Sequence, residues 1–316
     1  YFHKINKNYK NFYFSGISFD TKNIKKNDIF FAIKGKKIDG NRFISEAFKK
    51  KSSLVIGNRV DRNYPLYKQI KVNNSLDFLT NCASIFRENV NAKIISITGS
   101  CGKTTLKEMI GSTLKKISNV TCSPKSYNNK YGVPLSLFNL KNNDDFGVLE
   151  VGMDKKGEID NLTKIIRPDL GIITNISYAH SKNFNNINQI ADAKAEIMNN
   201  IKSGGTIVLN MDDNFFNYHK KLAIKKKLKV ISFGIKNKSS MIKLVNIKKI
   251  RNKFSLLINV NGNNISFYSK NDNKNNLYNI LASIAAIDSF VNIKRFKKNI
   301  FLDLKIPNGR GDISKI

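Results

Sequence analysis

The apolar positions of this chain fall into two textures. Residues 17–60 alternate short apolar runs with turn signals. IFFAI at 29–33 predicts a strand and KGKKIDGN a loop. FISEAFKK at 43–50 has helical spacing, and SLVIG at 53–57 predicts a second strand. SLDFLTNCASIFRE at 75–88 predicts a helix. Together they read as a small α/β domain over 1–90. At Ala92 the texture changes. KIISIT at 93–98 is a buried-strand run that ends in a glycine-bearing loop, with a helix from Thr104. Further strands are predicted at 146–152, 169–176, 206–210 and 229–234, with helical patterns between them. That alternation implies a mainly parallel sheet flanked by helices. From 241 to 268 the pattern becomes antiparallel, with an NGN hairpin turn, and a helix follows at 276–290. The second domain is placed at 91–308.

Composition narrows the class. The 316 residues are 41% hydrophobic, enough for a real core and for two domains at about 100–200 residues each. No run approaches the ~18 apolar residues of a membrane span. Tyr1 opens a polar–aromatic stretch and not a signal peptide, and as a residue other than Met it is expected to be a cut or incomplete start. The formal charge is +32, which invites a nucleic-acid reading. However, the basic residues are 47 Lys and 8 Arg, beside 45 Asn and 21 Phe. These types share A/T-rich codons, and a dedicated base reader favours Arg. Compositional drift is therefore the reading taken, with no nucleic-acid partner. Cys82, Cys101 and Cys122 show no metal spacing and read as free thiols of a reducing cytoplasm.

The segment ISITGSCGKTTLKEMI at 95–110 carries the chemistry. A strand runs into Gly99, Ser100, Cys101, Gly102, Lys103, Thr104 and Thr105, and a helix follows. Backbone amides of such a loop surround phosphate oxygens, and the helix N-terminus adds its positive dipole end. Lys103 suits the outer phosphates and the Thr104 hydroxyl suits Mg²⁺. The general consensus has a glycine at the position of Ile97, so Gly99 takes the turn here. A second cluster joins it. Glu150 ends one predicted strand, His180 follows another, and Lys194 lies on a predicted helix. In an open parallel sheet ligands gather beyond the carboxyl ends of strands.

These motifs resemble the Mur ligase family, ATP-dependent amide-forming enzymes of peptidoglycan synthesis. The short loop G-S-C-G-K-T-T is similar to the family's phosphate loop and accounts for the missing glycine. Supporting segments are YNNKYGVPLSLFNL (127–140), LEVGMDKKGEIDNL (149–162), ITNISYAHSKNFNNINQIADAKAEI (173–197) and VLNMDD (208–213). They point to the branch that adds D-alanyl-D-alanine to UDP-N-acetylmuramoyl-tripeptide. Residues 18–48 resemble the family's uridine-nucleotide domain. The resemblance runs from about 17 to 311.

The resemblance implies roles position by position. The loop residues 99–105 would bind ATP, with Lys103 on the phosphates. Thr104 and Glu150 would hold one Mg²⁺. His180 resembles a ligand of a second, and Lys194 resembles a lysine carbamylated by CO₂ that supports it. Asn276, with Asn279 nearby, would contact adenine, and Arg310 the nucleotide. Asn128 and Asn129 would face the muramoyl substrate. Asp20, Thr21, Lys22, Asp39 and Gly40 would lie near the uridine nucleotide. Three departures stand out: Lys22 for the family's Arg, Asn41 for a common His, and Asn275 for another. The implied protein is a cytoplasmic monomer. The family also has a third, C-terminal domain, of which 309–316 would be only the start, so this chain is expected to bind nucleotide but not to ligate alone. The rival readings are another Mur-type ligase adding diaminopimelate or lysine, a non-catalytic nucleotide-binding scaffold, and a P-loop nucleic-acid motor.

Overall fold

The computed structural model describes residues 13–35, 37–178 and 183–302. His180, Arg310 and the segment 309–316 lie outside them. Contacts divide the chain into two compact units, one of Tyr1–Asn89 with Leu137–Asn139, the other of Val90–Ser136 with Leu140–Ile316.

In the first unit the order is β1 (Ile17–Ser18), β2 (Ile29–Phe31), α1 (Ile44–Lys49), β3 (Leu54–Gly57), β4 (Gln69–Lys71) and α2 (Ser75–Glu88). The strands form a parallel sheet in the order β1-β2-β3-β4. Alternation sorts β2 and β3 between two small cores. Phe30 and Val55 pack with Ile44 and Ala47 of α1, whereas Phe31, Leu54 and Ile56 pack with Leu79 of α2. Asn74 caps α2, its Oδ1 accepting from the Leu76 and Asp77 amides. The predicted strand at 29–33 is shorter than its apolar run, since Ile33 already turns out of the sheet. A 3₁₀ turn, Gly40–Phe43, takes the first residue of the predicted helix at 43–50. Strands β1 and β4 were not foreseen; two or three residues are too few to set a period.

The second unit runs β5 (Lys93–Thr98), α3 (Lys103–Leu114), β6 (Val120–Cys122), α4 (Gly132–Phe138), β7 (Phe146–Glu150), α5 (Glu158–Ile166), β8 (Leu170–Ile173), α6 (Ile187–Ala195), β9 (Thr206–Asn210), α7 (Phe216–Lys225), β10 (Lys229–Gly234), β11 (Ile242–Ile250), β12 (Lys253–Val260), β13 (Asn263–Ser269) and α8 (Lys274–Asp288). Its nine strands are ordered β13-β12-β11-β10-β9-β8-β5-β7-β6. All neighbours from β6 to β11 are parallel, and the last two pairs are antiparallel. Thus β11, expected in the antiparallel set, also joins the parallel one. The turn between β12 and β13 has Asn261 at φ 50° and Gly262 at φ 91°, the primed geometry that Asn-Gly supplies.

Ile95 and Ile97 of β5 pack with Leu106 and Ile110 of α3 and Ile280, Leu281 and Ile284 of α8 in the largest core. Two details of topology place the site. The chain leaves β5 toward β6 and returns through β7, then crosses to β8 on the other flank of β5 and continues outward to β9. Connections from adjacent β5 and β8 therefore diverge, which opens a crevice at their carboxyl ends.

Candidate functional site

The crevice is floored by the turn after β5. Gly99 has φ 140° and Gly102 φ 83°, conformations a side chain rarely takes. A Cβ on Gly99 would collide with the Thr174 side chain, and one on Gly102 would lie 2.9 Å from Asn279 Oδ1 of α8. Gly102 also stands at the start of α3 with no side-chain cap, so the helix end is left for an incoming acceptor.

The turn is clasped by the segment after β8. The Ser100 amide donates to Asn175 O at 3.0 Å, and the Cys101 amide donates to Asn175 Oδ1 at 3.0 Å. Thr174 Oγ1 donates to Cys101 O at 2.7 Å. The Ser100 hydroxyl donates to Ser177 O at 3.0 Å and accepts from the Ser177 amide at 2.8 Å. Thr174, Asn175 and Ser177 were not singled out from sequence. Their signal was position alone, since they follow a strand that neighbours β5. Lys103 folds back over the turn, its Nζ donating to Gly99 O at 2.9 Å and Ser100 O at 3.4 Å.

Glu150 ends β7 with 1% exposure. Thr104 Oγ1 donates to its Oε2 at 2.7 Å, and Asn128 Nδ2 donates to its Oε1 at 2.7 Å. No lysine or arginine pairs with this carboxylate among the described residues. A buried carboxylate held by a hydroxyl and an amide is a hard-oxygen donor set that fits Mg²⁺. Lys194, on α6, is 1% exposed. Its pKa is lowered to about 7, first by burial and then by repulsion from Lys103. The structure thus gathers Gly99–Thr105, Glu150, Asn128 and Lys194 at one crevice, with Asn279 beside Gly102.

Other expected residues are placed differently. Asn129 caps α4, its Oδ1 accepting from the Tyr131 and Gly132 amides at 3.0 and 3.1 Å. Asn276 Nδ2 donates to Ser269 Oγ at 3.0 Å, and among the described residues its buried Oδ1 has no partner. In the first unit Asp20 accepts from the Lys22 amide at 2.9 Å and Asn23 Nδ2 at 2.7 Å. Thr21 is buried. Asp39 accepts from the Asn41 amide at 2.9 Å and Nδ2 at 2.7 Å, bonds that hold its pKa down. The Gly40 amide donates to Ile33 O at 2.9 Å. Asn41 Oδ1 accepts from the Asn58 amide at 2.9 Å. These turns follow the carboxyl ends of parallel β1, β2 and β3, so the group shares one end of its sheet.

Three acidic residues near the motifs serve structure. Glu158 accepts from the Asp154 amide at 2.6 Å. Asp192 accepts from Tyr218 OH at 2.5 Å. Glu196 accepts from the Gly157 and Asp160 amides at 2.7 and 3.1 Å, which caps α5. Buried His219 of α7 meets Ala191 O at 3.1 Å through Nε2 and so props the helix that carries Lys194. Burial holds its pKa down.

The Mur ligase middle domain matches residues 97–287, and the Mur ligase family catalytic domain matches 13–87. The chain belongs to the Mur ligase family. It is 32% identical over 306 residues to the UDP-N-acetylmuramoyl-tripeptide–D-alanyl-D-alanine ligase of Rickettsia prowazekii, covering 95% of this chain and 67% of that protein. The ligase of the same name from Buchnera aphidicola subsp. Acyrthosiphon pisum is 37% identical over 222 residues, covering 70% of this chain and 48% of that protein. Among solved structures, the MurF ligase of Thermotoga maritima in complex with ADP superimposes with TM-score 0.79 at 26% identity, covering 93% of this chain and 67% of that one. The chain spans about half to two thirds of the length of these relatives. Among the described residues, no helix is long and apolar enough to cross a membrane.

Proposed function

We propose that this chain carries the uridine-nucleotide-binding and ATP-binding parts of a ligase that joins D-alanyl-D-alanine to UDP-N-acetylmuramoyl-tripeptide. The observation that carries it is the buried Glu150 carboxylate, set between the Thr104 hydroxyl of the phosphate loop and the Asn128 amide. The names of its relatives supply the substrates.

A carboxylate is a poor acyl donor. Attack of the tripeptide's terminal carboxylate on the γ-phosphorus breaks the bond to the β-phosphate oxygen, which gives an acyl phosphate and ADP. The amine of D-alanyl-D-alanine then attacks the acyl carbon, loses its proton, and phosphate leaves. The protein's part is positioning and charge neutralisation. Lys103 exchanges the Gly99 and Ser100 carbonyls for phosphate oxygens. The amides at the start of α3 face the same phosphates. Thr104 and Glu150 would hold Mg²⁺, which when bound neutralises phosphate charge. Lys194 holds its proton weakly, and a neutral amine is the form that takes up CO₂. As a carbamate it would be an anionic ligand for a second cation, the role that the resemblance also gives to His180. Asn276 and Asn279 serve the adenine side, with Arg310 on the nucleotide, and the turns at Asp20–Lys22 and Asp39–Gly40 serve the uridine nucleotide. The division at 1–90 and 91–308 assigns the uridine nucleotide to the first part and ATP to the second. With nucleotide-linked substrates, the reading is of a cytoplasmic protein that acts as a monomer.

Titration calorimetry tests the reading. ATP with Mg²⁺ binds with micromolar affinity, and UDP-N-acetylmuramoyl-tripeptide binds at least about tenfold tighter than the corresponding dipeptide precursor. Equal affinity for the two precursors, or no response to ATP, overturns it.

A further inference from the structure

Lys107 lies on α3 one turn beyond Thr104, and its side chain is fully buried. Burying an ammonium is costly unless its protons are matched. Here Nζ donates to Ser123 O and to Lys125 O, both at 2.6 Å. Glu108 Oε1 lies 3.1 Å away. The two carbonyls belong to one short loop between β6 and α4. That loop holds Lys125 at φ 43°, a left-handed conformation uncommon for residues other than glycine.

The loop leads directly to Glu150. The Ser123 amide donates to Val148 O at 2.9 Å, and Ser123 Oγ accepts from the Glu150 amide at 3.2 Å. Three residues past Lys125, Asn128 Nδ2 donates to Glu150 Oε1, and Asn128 O accepts from the Gly152 amide at 2.8 Å. Helix α3 therefore reaches the carboxylate by two routes. Thr104 touches Oε2 directly. Lys107 grips the loop that brings Asn128 to Oε1. Both begin on neighbouring turns of the same face.

We infer that Lys107 is a positioning residue: it straps the 123–128 loop to the phosphate-loop helix so that Asn128 fixes the plane of the Glu150 carboxylate for the cation. Charge-assisted bonds are about twice as strong as neutral ones, which suits a strap that must hold a left-handed residue. The cation readout rests on the nucleotide reading above, whereas the strap itself does not.

Two measurements on the whole chain test it. The first is hydrogen exchange without nucleotide. Lys107→Met speeds exchange of the amides of Ser123 and residues 125–129 by about tenfold or more while α5 and α8 keep their protection. Unchanged exchange in 123–129 removes the strap. The second is ATP affinity, in EDTA and in Mg²⁺, well below the melting transition. Lys107→Met leaves the EDTA value within about twofold and cuts the Mg²⁺ enhancement about tenfold, as loss of a ligand's supporting partner does. Lys107→Gln, which keeps two donors, is intermediate and serves if the Met variant does not fold. The double variant Lys107→Met/Asn128→Ala loses no more enhancement than Asn128→Ala alone. Additive losses, or full enhancement in Lys107→Met, make Lys107 a core residue only. A wild-type chain that binds no ATP overturns the nucleotide reading, and the exchange measurement still decides the strap.

Discussion

Lys194 is 1% exposed, and among the described residues its ammonium has no hydrogen-bond or ion-pair partner. Its ordinary pKa of 10.5 falls to about 7 in the folded chain. Between those values the unfolded chain holds a proton that the folded chain lacks. Stability therefore rises with pH from about 7 to 10.5, and the full penalty is present below 7. Lys194→Met removes it. In CO₂-free buffer the variant unfolds at higher denaturant than wild type at pH 7, by several kcal/mol on the order of 1.4 per pKa unit. The gap closes toward pH 10. Denaturant midpoints across that range check it, and parallel curves for the two proteins would refute it. Lys194 was legible in sequence only through family resemblance. Periodicity put it on a helix, but no spacing marks one buried lysine among 47.

At the scale of elements, the clasp between the phosphate loop and residues 174–177 fixes what Gly99 can become. Gly99→Ala sets a side chain against Thr174 Oγ1 at φ 140°. Strain and overpacking together cost about 3 kcal/mol, and ATP binding is lost. Gly99→Ala/Thr174→Ala removes the worst contact, that with the hydroxyl, leaves the tight ones to the Cβ and amide of residue 174, and regains part of the stability, but not the Cys101 carbonyl's donor. Thermal melts of the two variants check this order. Much at this scale was readable beforehand. The strands at 93–98, 206–210 and 229–234 and the helix at 75–88 lie where apolar periodicity puts them, because each carries enough residues to set a period. The loop's glycines announced its turn. The clasp did not announce itself, since its bonds join positions over 70 residues apart. Nor did the structural duties of Glu158, Asp192 and Glu196, because a carboxylate near a motif looks the same whether it caps a helix or faces a metal.

For the whole molecule, the two compact units predict two thermal events where a single cooperative one is the simplest expectation. ATP with Mg²⁺ at about 100 times its dissociation constant stabilises only the second unit, by about 2.7 kcal/mol. That moves its transition up by roughly 5–10 °C and leaves the other in place. Scanning calorimetry with and without nucleotide checks it, and a joint shift of both transitions would show that the units unfold together. The +32 charge adds a general attraction for anions but no address. On the proposed function the address lies in the crevice at β5, and the bonds that Lys103 makes there shape how a ligand would enter. With the Lys103 ammonium already on the Gly99 and Ser100 carbonyls, phosphate arrival is a substitution. One set of oxygens displaces another around the same cation. Little order remains to be created, so the loop's selectivity lies in the difference between two oxygen shells: a carbonyl pair that never leaves, and a phosphate that must outbid it and then depart.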